Sequence, residues 1–215
     1  MSQNKTNFAV PLAFVGMMFF AIGFALGINS FLIPVLKGAL SLPSGVAYLL
    51  LAATFVPFLI FGYPASATIA KIGYKRTMAL SFLIFAVAFI LFVLSAKLEN
   101  FILFLIASFV SGAANAYLQA SVNPYITILG PIESAAKRMS IMGICNKLAW
   151  PVAPLFFALV VADQTNVQTS DLYLPFYIII GVFLLLGIIS LMAPLPEVKA
   201  AGEDESDTAN CPYAA

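Results

Sequence analysis

NAYLQASVNPYITILGP, residues 115–131, sets Asn115, Gln119, Asn123 and Thr127 four residues apart inside an apolar run. A helix turns about 100° per residue, so the four make a polar stripe that drifts about 40° per step and rises about 18 Å. What surrounds the stripe decides the fold. Hydrophobic residues are 62% of the 215, charged residues only 9%, and the mean hydropathy is +1.04. A soluble domain carries about a quarter of its residues charged, so this chain reads as an integral membrane protein. An uncompensated amide in hydrocarbon costs a few kcal/mol, and the stripe must therefore face protein or water.

A spanning helix needs about 20 predominantly apolar residues. Charged or turn-rich breaks divide the chain into six such runs, near 9–36, 46–70, 77–96, 101–127, 139–161 and 172–193. The uncharged stretch from residue 6 to 36 exceeds the roughly 7–15 apolar residues of a signal peptide, so it reads as a span. The pattern predicts an all-α membrane domain of helical hairpins, without the short alternating strands of a β-barrel. Basic residues near span ends orient it. With the N-terminus inside, Lys5, Lys71, Lys75, Arg76, Lys137, Arg138 and Lys199 are cytoplasmic, against Lys37 and Lys97 outside. Both termini are then cytoplasmic: residues 1–8 precede the six-helix domain at 9–195, and residues 196–215 form an acidic tail that reads as solvated and disordered.

Several functions are excluded by composition. With no histidine and a net charge of +1, a His-based catalytic or metal site and a nucleic-acid face have nothing to be built from. Cys145 and Cys211 imply no disulfide framework. No phosphate-binding Gly-x-x-x-x-Gly-Lys-Ser/Thr loop is present, and no in-membrane acid or activated nucleophile suggests an enzyme. No cofactor and no metal are expected.

The remaining candidates are neutral amides and one cation. Gln119 and Asn123, with Asn115 and Thr127, offer donors and acceptors suited to the hydroxyls of a sugar or to another uncharged polar solute; the same amides would also serve as interhelical hydrogen bonds. Lys147 lies about 12 Å of helix beyond Met139, and the six runs hold no carboxylate to pair with it. It either snorkels to the membrane face or lines a wet cavity. One turn on, Trp150, the only tryptophan, is a platform for a sugar ring beside Asn146 and Lys147, or a core-packing residue. Gly23 and Gly27 fit close helix packing, with Asn29 and Ser30 the polar pair beside them. The first and fourth runs look like counterparts, each with a small-xxx-small pair followed by an amide five residues before a proline: Asn29 before Pro34, Gln119 before Pro124. Six runs divide as three plus three, and Gly/Pro-interrupted spans in matching positions of such repeats point toward a binding site, although glycine and proline are also common in membrane helices generally.

Taken together, LQASVNPYITILGP (118–131), ESAAKRMSIMGICNK (133–147) and FFAIGFALGINSFLIP (19–34) resemble the fucose/glucose-galactose permease family of the major facilitator superfamily, over about residues 8–195. SATIAKIGYKR (66–76) is similar to the superfamily's gating loop: Lys71, Gly73, Lys75 and Arg76 keep its basic character, while Ser66 and Ala70 replace its first glycine and its acid. The resemblance implies a hexose symporter working by alternating access in the bacterial cytoplasmic (inner) membrane. It also implies a cavity lined by the first and fourth spans and their counterparts in the other half; with the residues of the fifth run read above, the expected substrate-binding set is Asn29, Ser30, Asn115, Gln119, Asn123, Asn146, Lys147 and Trp150. Proton-coupled fucose permeases carry an acid where this chain has Ser30 and Gln119, so proton coupling is not carried over to those positions. Sodium ligated by Asn29, Ser30, Gln119 or Asn123 is the alternative. Members of the family are expected to have twelve spans, so the chain reads as an amino-terminal half. Its partner is a second six-span half, with a homodimer the less favoured arrangement. The competing functional expectation is a non-transporting sensor or an inactive remnant.

Overall fold

In the computed structural model the structure describes residues 9–129, 132–161 and 167–192. The expectations for residues 1–8, Lys5, Lys199, Cys211 and the acidic tail lie outside these. Among the described residues six helices follow one another: α1 (Ala9–Ala39), the single turn α2 (Ser44–Ala47), α3 (Leu49–Lys97), α4 (Phe101–Ile128), α5 (Ala135–Val160) and α6 (Tyr173–Met192). Short 3-10 turns precede α5 and α6, and no strand occurs among the described residues.

Among the described residues five stretches are long and apolar enough to cross a membrane; the longest, Ser44–Lys97, takes in two of the runs read from the sequence. A straight helix the length of α3 would measure about 73 Å, more than twice a bilayer's apolar thickness of about 30 Å. It is not straight. Gly73 has φ 81° and ψ 168°, a conformation essentially reserved to glycine, and it divides α3 into arms 49–72 and 74–97. Contacts with α4 give the direction of each arm. Thr54 lies against Gly112, and the Phe61 ring sits 6.1 Å from Tyr117, so the first arm runs parallel to α4. Tyr74 pairs with Tyr125 at 5.9 Å and Phe92 with Phe104 at 6.2 Å, so the second arm runs antiparallel. Gly73 is thus the tip of a helical hairpin. No atom lies within 4 Å of where its Cβ would be, so the backbone alone demands glycine there.

Between apolar helices in lipid, close packing and hydrogen bonds replace the hydrophobic effect as the driving force. The core is accordingly an aromatic ladder: Phe82, Phe85, Phe89 and Phe92 on the second arm meet Phe176 and Phe183 on α6, with Phe85–Phe183 at 4.8 Å and Phe92–Phe176 at 5.5 Å. Phe157 of α5 touches Phe176 and stacks on Phe31 of α1 at 4.6 Å. Elsewhere small residues let backbones meet. A Cβ on Gly23 would fall 1.9 Å from the Asn146 carbonyl oxygen, one on Gly27 2.8 Å from that of Trp150, and one on Gly112 2.1 Å from that of Thr54. So α1 packs on α5 as α4 packs on the first arm of α3.

Helix ends are fixed by polar side chains. The Asn100 side chain accepts from the Ile102 and Leu103 amides and starts α4. At the other end of α4 the buried Arg138 donates through Nε to the Ile126 carbonyl at 3.2 Å and through Nη2 to that of Thr127 at 3.1 Å. These are orphan carbonyls at the negative end of the helix dipole. Its Nη1 also reaches the Ser134 hydroxyl. α5 begins four residues before the expected 139 because Ala135, Ala136, Lys137 and Arg138 are good helix formers that hydropathy leaves out. α5 is also the least covered helix: only 17% of the apolar stretch of Ile132–Val160 is buried, against 61% for Pro11–Ala39, leaving Ile144, Leu148, Leu155 and Leu159 facing out.

Candidate functional site

α1 lies between α4 and α5, and amides from both sides reach its backbone. Asn115 Nδ2 donates to the Ile22 carbonyl at 3.4 Å, and Asn146 Nδ2 donates to the Phe19 carbonyl at 3.1 Å. Ile22 and Asn29, two turns apart, look toward α4; Gly16, Gly23 and Gly27 look toward α5. Asn29 Nδ2 donates to Ser111 Oγ at 3.4 Å, and Gln119 Nε2 donates to Asn115 Oδ1 at 3.1 Å. The result is a polar belt of separate hydrogen bonds that tie α1 to α4 and to α5, at the level of Phe19 to Asn29 on α1.

Within that belt the candidates differ in what they can offer. Asn115 is buried and committed to helix–helix contacts; Asn29 is buried too and gives its Nδ2 to Ser111, but its Oδ1 has no partner among the described residues. Ser30 is half-buried and donates to its own Leu26 carbonyl at 3.1 Å, a local bond that needs no ligand. Gln119 and Asn123 are half-buried; Gln119 keeps its carbonyl oxygen free, and Asn123 makes no side-chain hydrogen bond among the described residues. Thr127 turns back to the Pro124 carbonyl at 2.6 Å. The drift of the stripe explains the sequence. Asn115 points at α1, and each later member rotates farther from it.

On α5, Lys147 is exposed, and its Nζ sits 5.1 Å from the centre of the Trp150 ring. No carboxylate pairs with it among the described residues, so the ring is its partner, an attraction worth about 0.5–1 kcal/mol at an exposed site. Trp150 is half-buried, and its Nε1 donor is buried without a partner. One helix therefore carries the Asn146 amide oxygen and the exposed Lys147 ammonium, with the unpartnered Trp150 N–H buried beside them. The structure brings these three and Gln119 to the two flanks of α1. It does not bring in the gating-loop set: Lys71, Gly73, Lys75 and Arg76 occupy the hairpin tip, beside Tyr125 and about 9 Å of helix rise from Gln119.

Of the cavities among the described residues, two lie elsewhere. One of about 580 Å³ sits between the ends of α1 and α5, lined by Phe31, Pro34, Pro154 and Phe157; one of about 250 Å³ lies between Phe20, Phe24, Phe156 and Val182. Neither is lined by the belt.

Sequence reasoning missed Ser111, the partner of Asn29, and Ser108, a fully buried hydroxyl without a partner. Their signal was present: 108, 111, 115 and 119 follow the three-and-four spacing of one helix face, extending the stripe toward the N-terminus of α4. It also missed Arg138, assigned to a loop on charge alone.

Comparison with known proteins bears on this arrangement. The Major Facilitator Superfamily model matches residues 14–214. A glucose/galactose transporter of Brucella abortus biovar 1 (strain 9-941) is 31% identical over 209 residues, covering 95% of this chain and 50% of that protein. The L-fucose-proton symporter of Escherichia coli (strain K12) is 23% identical over 223 residues, covering 94% and 51%. A crystal structure of the transporter FucP in the outward conformation superimposes with a TM-score of 0.74 at 23% identity, over 89% of this chain and 51% of that one. The chain thus spans about half the length of these relatives.

Proposed function

The chain belongs to the major facilitator superfamily, and from that premise we propose that it is the amino-terminal, six-span half of a hexose transporter that works by alternating access. The observation that carries the reading is the belt across α1, α4 and α5, where Gln119, Asn146, Lys147 and Trp150 keep polar atoms uncommitted beside a tightly packed α1. Neutral amides give a hexose both donors and acceptors, the Trp150 ring gives its apolar face a surface, and Lys147 donates to a hydroxyl. The relatives named as glucose/galactose transporters and fucose-proton symporters support this substrate class.

In this reading the two arms of α3 are separate spans. Both termini and the Gly73 tip are cytoplasmic, and the membrane is the inner one. A second six-span half closes the cavity over the exposed face of α5. Ser30 and Gln119 carry no titratable group, so any proton taken up by the complete transporter binds elsewhere; Na⁺ held by neutral oxygens is the coupling ion to test against it.

Trp150 is the chain's only tryptophan, so its emission reports this face alone. Titrating the chain in nanodiscs with D-glucose, D-galactose and L-fucose should give a saturable change in intensity for one of them, lost in Gln119→Ala and in Asn146→Ala. Emission indifferent to all three sugars would count against the site, and a response that survives both substitutions would reduce the belt to packing.

A further inference from the structure

The geometry points to a docking surface for the chain's own acidic segment, residues 197–207, on a basic patch at the Gly73 end of the bundle. Three elements converge there. The hairpin tip carries Lys71, Lys75 and Arg76, and Tyr74 beside them packs on Tyr125 near the end of α4. Arg138 holds the last carbonyls of α4, which brings its neighbour Lys137 to the same end. Third, α6 runs antiparallel to the second arm: Phe176 meets Phe92, Phe183 meets Phe85, and Gly187 stands 3.7 Å, measured from the position of a Cβ, from the Ala79 carbonyl. Met192, one and a half turns beyond Gly187, is therefore level with Lys75 and Arg76, and the chain leaves α6 beside the patch.

The charges are complementary and otherwise uncompensated. Lys71, Arg76 and Lys137 are exposed, Lys75 is half-buried, and none of the four has an ion-pair partner among the described residues. Of the acids among the described residues, Glu99 and Asp171 are at the opposite end, engaged with Thr169 and the Gln168 amide. Glu133 at this end is exposed and unpaired. The segment leaving α6 supplies what is missing: Glu197, Glu203, Asp204, Glu205 and Asp207, against the single base Lys199. From Met192 to Glu203 is eleven residues, a reach of up to about 38 Å, so the acidic run reaches the hairpin tip without strain. Docked there, it neutralises the tip of the α3 hairpin and ties the exit of α6 to the start of α5. This does not depend on the sugar reading.

Proximity cross-linking in the full chain tests it. With Cys145 and Cys211 replaced by serine, Lys75→Cys and Glu203→Cys are joined by a short bismaleimide in neutral phosphatidylcholine nanodiscs; Ser170→Cys, exposed at the opposite end, replaces Lys75→Cys in the control. The proposal expects the 75–203 pair to form several-fold faster than the control. It expects that excess to vanish between about 0.01 M and 1 M salt, as the screening length falls from roughly 30 Å to 3 Å. It expects the same loss when Lys71, Arg76 and Lys137 become glutamine, exposed changes that leave folding intact. Equal rates for both pairs, or an excess indifferent to salt and to the glutamines, would overturn it. So would an excess abolished by adding phosphatidylglycerol at low salt, since anionic headgroups would then be the occupant.

Discussion

At the scale of single residues, similar side chains in the belt have different duties because their burial differs. Asn115 is buried and donates to the Ile22 carbonyl, whereas Gln119, one turn on, is half-buried with its carbonyl oxygen uncommitted. Replacing Asn115 by alanine should lower stability by roughly 0.6–1.7 kcal/mol, the range for interhelical hydrogen bonds in lipid. Gln119→Ala removes only the bond that Asn115 Oδ1 accepts, so it should lower stability by less than Asn115→Ala does, and it should abolish sugar binding. Steric-trap unfolding in bicelles alongside a binding titration separates the two, and equal loss of stability in both variants would make Gln119 another packing amide. The polar stripe itself was legible in the spacing of residues 115–127. Its division was not, because a drift of about 40° per step says nothing of which member meets α1 until a neighbour is placed. Lys147 was legible as an anomaly; its partner was not, because the sequence offered only acids to look for and the ring of Trp150 answers instead.

At the scale of helices, glycines that look alike in sequence do different work. Gly23 and Gly112 stand where a Cβ would enter a neighbouring carbonyl oxygen, at 1.9 Å and 2.1 Å, while Gly143 faces open space. Gly23→Ala and Gly112→Ala should each cost about 1–3 kcal/mol through overpacking, and Gly143→Ala should be neutral or slightly stabilising. Gly73→Ala also meets no neighbour, yet it should cost about 1–3 kcal/mol because the backbone there excludes a side chain. Thermal aggregation midpoints across the four variants check the order, and a neutral Gly73→Ala would remove the hairpin tip from the account. The small-xxx-small pairs pointed to close packing from the sequence alone. The choice of partners, α5 for α1 and the first arm of α3 for α4, needed the bundle. Arg138 escaped notice because charge counting sends every terminal arginine to water, whereas orphan carbonyls at a helix end can hold it in the protein.

At the scale of the whole molecule, α5 and the outer face of the first α3 arm carry exposed apolar side chains, among them Leu159 at 87%, Leu59 at 88% and Tyr63 at 85%. Membrane character and helical hairpins were legible from hydropathy and from the breaks between runs. Which faces stay outward was not, since that depends on how the helices of the bundle pack on one another. Hexose counterflow in proteoliposomes is the most direct test of the central claim, that the α1–α4–α5 belt forms one wall of a sugar pathway, because exchange requires alternating access but no ion gradient. The chain, reconstituted in the assembly in which it occurs in its native membrane, should accumulate labelled hexose against unlabelled hexose inside. Gln119→Ala and Lys147→Met should reduce that exchange at least tenfold, and Cys145→Ser should leave it intact. Counterflow that persists undiminished in Gln119→Ala and Lys147→Met, or that is absent for every hexose in the unmodified assembly, would contradict the account.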